Sequence, residues 1–94
     1  MRRLVITLLL AGCGGTPPIA TVADAQRAHL ELAQLQEGRS LLLSKCGNCH
    51  RPPMPADEAV AAWPAKITEM SERAGLVGPQ RQMIETYLVT MAQR

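Results

Sequence analysis

Five consecutive residues, Cys46-Gly47-Asn48-Cys49-His50, constrain this chain more than anything else in it. C-x-x-C-H is the signature of covalent haem attachment. Two thiols can add across the two vinyl groups of the macrocycle, and the two-residue spacer lets one turn of chain reach both edges. The imidazole that follows directly falls under the iron as its proximal ligand. The expected cofactor is therefore one haem c, bonded through Cys46 and Cys49, with His50 on the iron. Iron held in this way changes oxidation state without being lost, so electron transfer is the function the motif leads us to expect.

Composition fits a cofactor-filled interior. The chain has 94 residues, with one Trp, one Tyr and no Phe. So short a chain, so poor in rings, struggles to build a core unaided. A haem supplies large apolar faces as core material. Hydrophobic residues make up 47%, which argues against disorder over most of the length. The formal charge of +2 includes Arg2 and Arg3; without them eight basic residues face eight acidic ones. Nothing in that balance suggests a nucleic-acid surface.

Residues 1–12 read as an export signal: Arg2 and Arg3, then the apolar run Leu4 to Leu10, then the small Ala11 and Gly12. The run is too short to span a bilayer as a helix. Leu10-Ala11-Gly12-Cys13 resembles the bacterial lipobox. The resemblance implies a lipoprotein that begins at an acylated Cys13, faces the periplasm and is fixed to a membrane without a span. Gly14 rather than Asp after that cysteine favours the outer membrane, again by resemblance. An ordinary signal with an incidental cysteine is the alternative. Residues 13–23 are expected to be the lipidated cysteine and a flexible Gly/Pro tether that holds the domain off the bilayer. Residues 24–94 form the domain.

Three helical stretches follow, and no strand pattern or internal repeat competes with them. The first runs from about Asp24, as N-cap, to Lys45, with Leu35, Gly38, Leu42 and Lys45 at helical spacing and Leu32 and Leu41 beside them. Gly38 inside it costs about 1 kcal/mol relative to Ala, and the close approach of another helix would explain it. The second lies between Asp57 and Ala74, with Val60, Trp63, Ile67 and Met70 on one face and Gly75 as C-cap. Pro64 means that this helix either starts there or kinks there. The third begins at Gly78-Pro79 and carries Met83, Ile84, Tyr87, Leu88 and Met91 to about Gln93.

Gly38, eight residues before Cys46, and Leu42, four before it, resemble the amino-terminal helix of the class I c-type cytochrome family. Ile84-Glu85-Thr86-Tyr87-Leu88 resembles that family's last helix, which crosses the first at the Gly. Leu42 stands where an aromatic is usual. The resemblance covers about residues 35–94. It implies an all-α fold, with three main helices around one covalent haem, and a small monohaem bacterial carrier that is not an enzyme.

Such carriers close the distal side of the iron with Met, whose soft sulfur favours ferrous iron. Met70, 20 residues past His50 on the Trp63/Ile67 face, is the expected ligand. Met54, in Pro52-Pro53-Met54-Pro55, is only four residues past His50. That stretch reaches at most ~14 Å and is stiffened by Pro. His29 is a third candidate, more easily placed on a solvated face. Pro52 and Pro53 offer carbonyls to the second nitrogen of His50. Arg51 and the indole of Trp63 are candidates for haem propionates, with packing as the plainer role for Trp63. Lys45 and Arg51 could orient an acidic redox partner protein.

Four functions compete. The first is an electron carrier in the periplasm; the second is a haem-based sensor with an open or differently ligated distal site. The third is the haem subunit of a larger oxidoreductase, and the fourth is a Cys46/Cys49 dithiol pair, which lacks the βαβ pattern it would need. A zinc site lacks a fourth ligand, and adjacent Cys49 and His50 would struggle to share one tetrahedron.

Overall fold

Thr21, not Asp24, opens the first helix. In the computed structural model, which describes residues 15–47 and 51–94, helix α1 spans Val22–Ala28 and Asp24 sits in its first turn. The Asp24 carboxylate accepts from the Thr21 backbone N–H at 2.8 Å, and the Asp24 N–H donates back to the Thr21 hydroxyl at 3.4 Å. This is a capping box with Asp in place of the usual Glu. Helix α1 ends after seven residues, so the single first helix expected from Asp24 to Lys45 is two. His29 turns left-handed at φ 55°. The Leu30 N–H then reaches the Ala25 carbonyl and the His29 N–H that of Gln26. This Schellman closure turns Leu30 toward the core.

Helix α2 runs Leu32–Cys46, α3 Trp63–Ala74 and α4 Gly78–Ala92, with 3₁₀ turns at Pro55–Asp57 and Val60–Ala62. The regular structure of the described residues is all helical, with no strand. No helix among them is long and apolar enough to cross a membrane. Pro64 falls in the first turn of α3, where a missing N–H costs nothing, so the helix begins there rather than kinking. Gly75 closes it in the left-handed conformation at φ 64°.

The core lies where α2 crosses α4. Leu35, Gly38, Leu42 and Cys46 are buried on α2 at steps of three, four and four, facing Ile84, Tyr87, Leu88 and Met91. A side-chain carbon on Gly38 would meet the Met83 carbonyl and stand 2.8 Å from Tyr87 Cβ. The close approach expected at this glycine is what the fold contains. Met83, expected in the α4 stripe, is 38% exposed and gives the crossing its backbone instead.

The segment expected to be a free tether is in part a strap. Pro17 and Ala20 are buried. Arg39 Nε donates to the Pro17 carbonyl at 2.9 Å, the Tyr87 hydroxyl to the Pro18 carbonyl at 2.5 Å and Arg94 Nη2 to the Ile19 carbonyl at 3.3 Å. Two prolines hold the strap extended, and three donors from α2, α4 and the chain end take its carbonyls. Burial pushes the Tyr87 phenol up to about 12. Tyr87→Phe keeps the ring but leaves the Pro18 carbonyl without its donor. Urea unfolding should register a loss of about 1 kcal/mol.

Candidate functional site

Of the two thiols in the motif, Cys46 is within the described residues. It ends α2 as the last member of that helix's buried stripe, 8% exposed among the core side chains. Burial pushes its thiol above the ordinary range. Cys49, His50 and the acylation candidate Cys13 lie outside the described residues, as does the export signal 1–12.

The chain leaves α2 at Gly47 and comes back at Pro52. A side-chain carbon on Gly47 would stand 3.4 Å from Pro52 Cγ. The two ends of the span that contains Cys49 and His50 are therefore side by side, although five residues in extension would part them by ~17 Å. Lys45, just before this span, and Arg51, within it, are exposed.

Behind the motif, Pro55 and Trp63 fix the returning chain. The Trp63 indole N–H, fully buried, donates to the Pro55 carbonyl at 3.0 Å. The expectation that this group could serve a propionate gives way to a structural role, because its single proton is already used. The same contact ties the loop after the motif to the start of α3. Met54 leads into that loop, and its N–H donates to Asp57 at 2.8 Å.

Trp63 and Ile67 bring α3 into the cluster that holds Cys46, and Met70 packs half-buried against it. That cluster is the core of the described residues, and α3 joins it against α4, with Met70 one turn beyond Ile67. Met54 lies instead on a cleft with Pro18, Met91 and Arg94. Met91 is buried in the core. His29 is exposed at the turn after α1.

These residues suit a haem by the chemistry of the donors. A cysteine ends a helix against apolar side chains, a thioether packs on the same cluster, and the span carrying the other cysteine and the histidine starts and ends at one place. Sequence reasoning missed the strap and its three donors. Pro17-Pro18 was the one available signal, since adjacent prolines present carbonyls without competing N–H groups. No family model, curated protein or solved structure matches this chain.

Proposed function

We propose that this chain is a monohaem electron-transfer protein of class I cytochrome c type, exported and held to a membrane through an acylated Cys13. One observation carries the reading: Cys46-Gly47-Asn48-Cys49-His50 begins on a helix end buried in the apolar core. The crossing of α2 and α4 at Gly38, eight residues before Cys46 and against Tyr87, supports the same family.

Cys46 and Cys49 would hold the haem through thioethers, and His50 and Met70 would be its iron ligands. The bound group supplies a one-electron Fe(III)/Fe(II) couple. The chain's own work is to fix and insulate it. Trp63, Ile67 and Leu42, buried in the core, would keep water from a bound haem, and low polarity around such an iron would raise its potential, as thioether ligation does. The Trp63–Pro55 hydrogen bond holds the loop that follows the proximal ligand. Lys45 and Arg51, exposed on either side of the motif, suit an acidic redox partner. No substrate is transformed.

The test is an optical spectrum of the haem-matured protein, oxidised and reduced, beside that of Met70→Ala. Covalent haem with a weak near-infrared sulfur-to-iron band, lost in Met70→Ala, is the expected result. A band that is absent, or that survives the substitution, removes Met70. Tight carbon monoxide binding by the unaltered protein would then favour the sensor. Absence of covalent haem would return Cys46 and Cys49 to thiol or metal chemistry.

A further inference from the structure

We infer that the domain rests against the lipid headgroups through the edge formed by Ile19 and Val22, rather than swinging free on a tether. The inference builds on the acylation of Cys13 proposed above. Its first ground is length. Between Cys13 and Pro17 there are four residue steps, at most ~14 Å of chain. Pro17 is buried and its carbonyl is held by Arg39, so the fixed fold begins there. A tether running to residue 23 would have allowed more than twice that reach.

The second ground is what surrounds the fixed point. Among the described residues, four large hydrophobic side chains are well exposed, and the two most exposed are Ile19 at 68% and Val22 at 59%. Both lie within five residues of Pro17. The strap's own hydrogen bonds account for this. Its carbonyls turn inward to Arg39, Tyr87 and Arg94. Val22 then opens α1, whose buried residues are Asp24 and Ala25. The apolar edge is thus built on rigid backbone at the one place a short leash must bring to the bilayer. Its occupant is the boundary between headgroups and acyl chains, where exposed aliphatic side chains are stabilised.

The strap also runs beside the chain that follows the motif, since Pro18 shares a cleft with Met54 and Pro55.

The experiment is neutron reflectometry of the full, haem-loaded, acylated protein on a supported bilayer of phosphatidylethanolamine and phosphatidylglycerol. A variant with about twenty Gly/Ser residues inserted between Gly15 and Thr16 gains a coil of ~25 Å. Its protein layer is expected to stay against the headgroups. Adding Ile19→Asp and Val22→Asp should let that layer spread outward by a distance of that order, with the haem spectrum and melting temperature unchanged. Ile19→Ser with Val22→Ser should do the same. A long-leash protein that spreads outward with Ile19 and Val22 intact would overturn the inference, as would equal layers with and without the substitutions. Mass spectrometry of the amino-terminal fragment separates the two readings. An unmodified Cys13 sinks the anchor and the docking together, whereas an acylated Cys13 under a detached layer sinks the docking alone.

Discussion

Gly38→Val should lower the stability of the domain by about 3 kcal/mol, near the upper end for overpacked cores. The reason is that the new atoms meet backbone. A side-chain carbon at residue 38 falls against the Met83 carbonyl and 2.8 Å from Tyr87 Cβ, and neither can rotate away. The helices must part along a crossing that buries Leu35, Leu42, Ile84 and Leu88. Separation also pulls Tyr87 from the strap, because its hydroxyl reaches Pro18 only while the ring sits in this crossing. Gly38→Ala should cost less, about 1–2 kcal/mol, since the better helix propensity of Ala offsets part of the clash. Gly78→Ala is the control: an added carbon there meets nothing within 4 Å, and little change is expected. Urea midpoints at constant m-value would measure all three. A Gly38→Val protein as stable as the unaltered chain would contradict the tight crossing.

That glycine was legible in the sequence because it broke a rule. A Gly inside a helix costs free energy, and only a close neighbour makes it useful. The α2 stripe was legible at Leu35, Gly38 and Leu42 for the same kind of reason, through steps of three and four, but the spacing carried on to Lys45, which is exposed, whereas the buried stripe takes a step of four and ends on Cys46. The start of α3 at Trp63 resolved an ambiguity that Pro64 had announced. Other features gave no such sign. His29 breaks the first helix from the left-handed region, where Gly or Asn would have flagged the turn. Thr21 and Asp24 share one capping box, and the acidic member drew the N-cap assignment because Asp is itself a common N-cap. The strap was illegible for a deeper reason. Its Pro and Gly content is that of a linker, and the donors that hold it stand 22, 69 and 75 residues away. Local composition reports backbone preference, while the partners of the strap carbonyls are set by how α2 and α4 cross. The indole of Trp63 follows the same logic: its need for an acceptor was clear, but the identity of that acceptor, Pro55, depends on how the loop after the motif returns.

Asp24→Asn is expected to cost about 1–2 kcal/mol at neutral pH, and the cost should shrink in acid. The Asp24 side chain is 3% exposed and collects Arg94 at 2.8 Å, Arg27 at 3.2 Å and the cap of α1. It thereby joins the start of the described fold to its end. An amide can still accept from Thr21, so the helix start survives, but the two guanidinium groups lose their anion. Arg27 and Arg94 are 38% and 43% exposed, so water takes over part of what they lose, and the cost stays below that of breaking a fully buried pair. The hydrogen bond from Arg94 holds the Asp24 carboxyl well below the usual carboxylate range, and burial opposes that shift without cancelling it. Because the folded value lies below the unfolded one, the unfolded chain takes up its proton first as pH falls. The contribution is therefore complete above about pH 4 to 5 and is lost progressively below. The amide introduced by Asp24→Asn carries no such titration. Urea unfolding of the two proteins between pH 7 and pH 2 should show curves that are parallel near neutrality and draw together in acid. A gap that stays constant to pH 2 would show that shape, not charge, holds this junction. Arg94→Ala adds the decisive control: alone it should resemble Asp24→Asn in its pH dependence, and combined with it should add little, because both substitutions remove the same interaction.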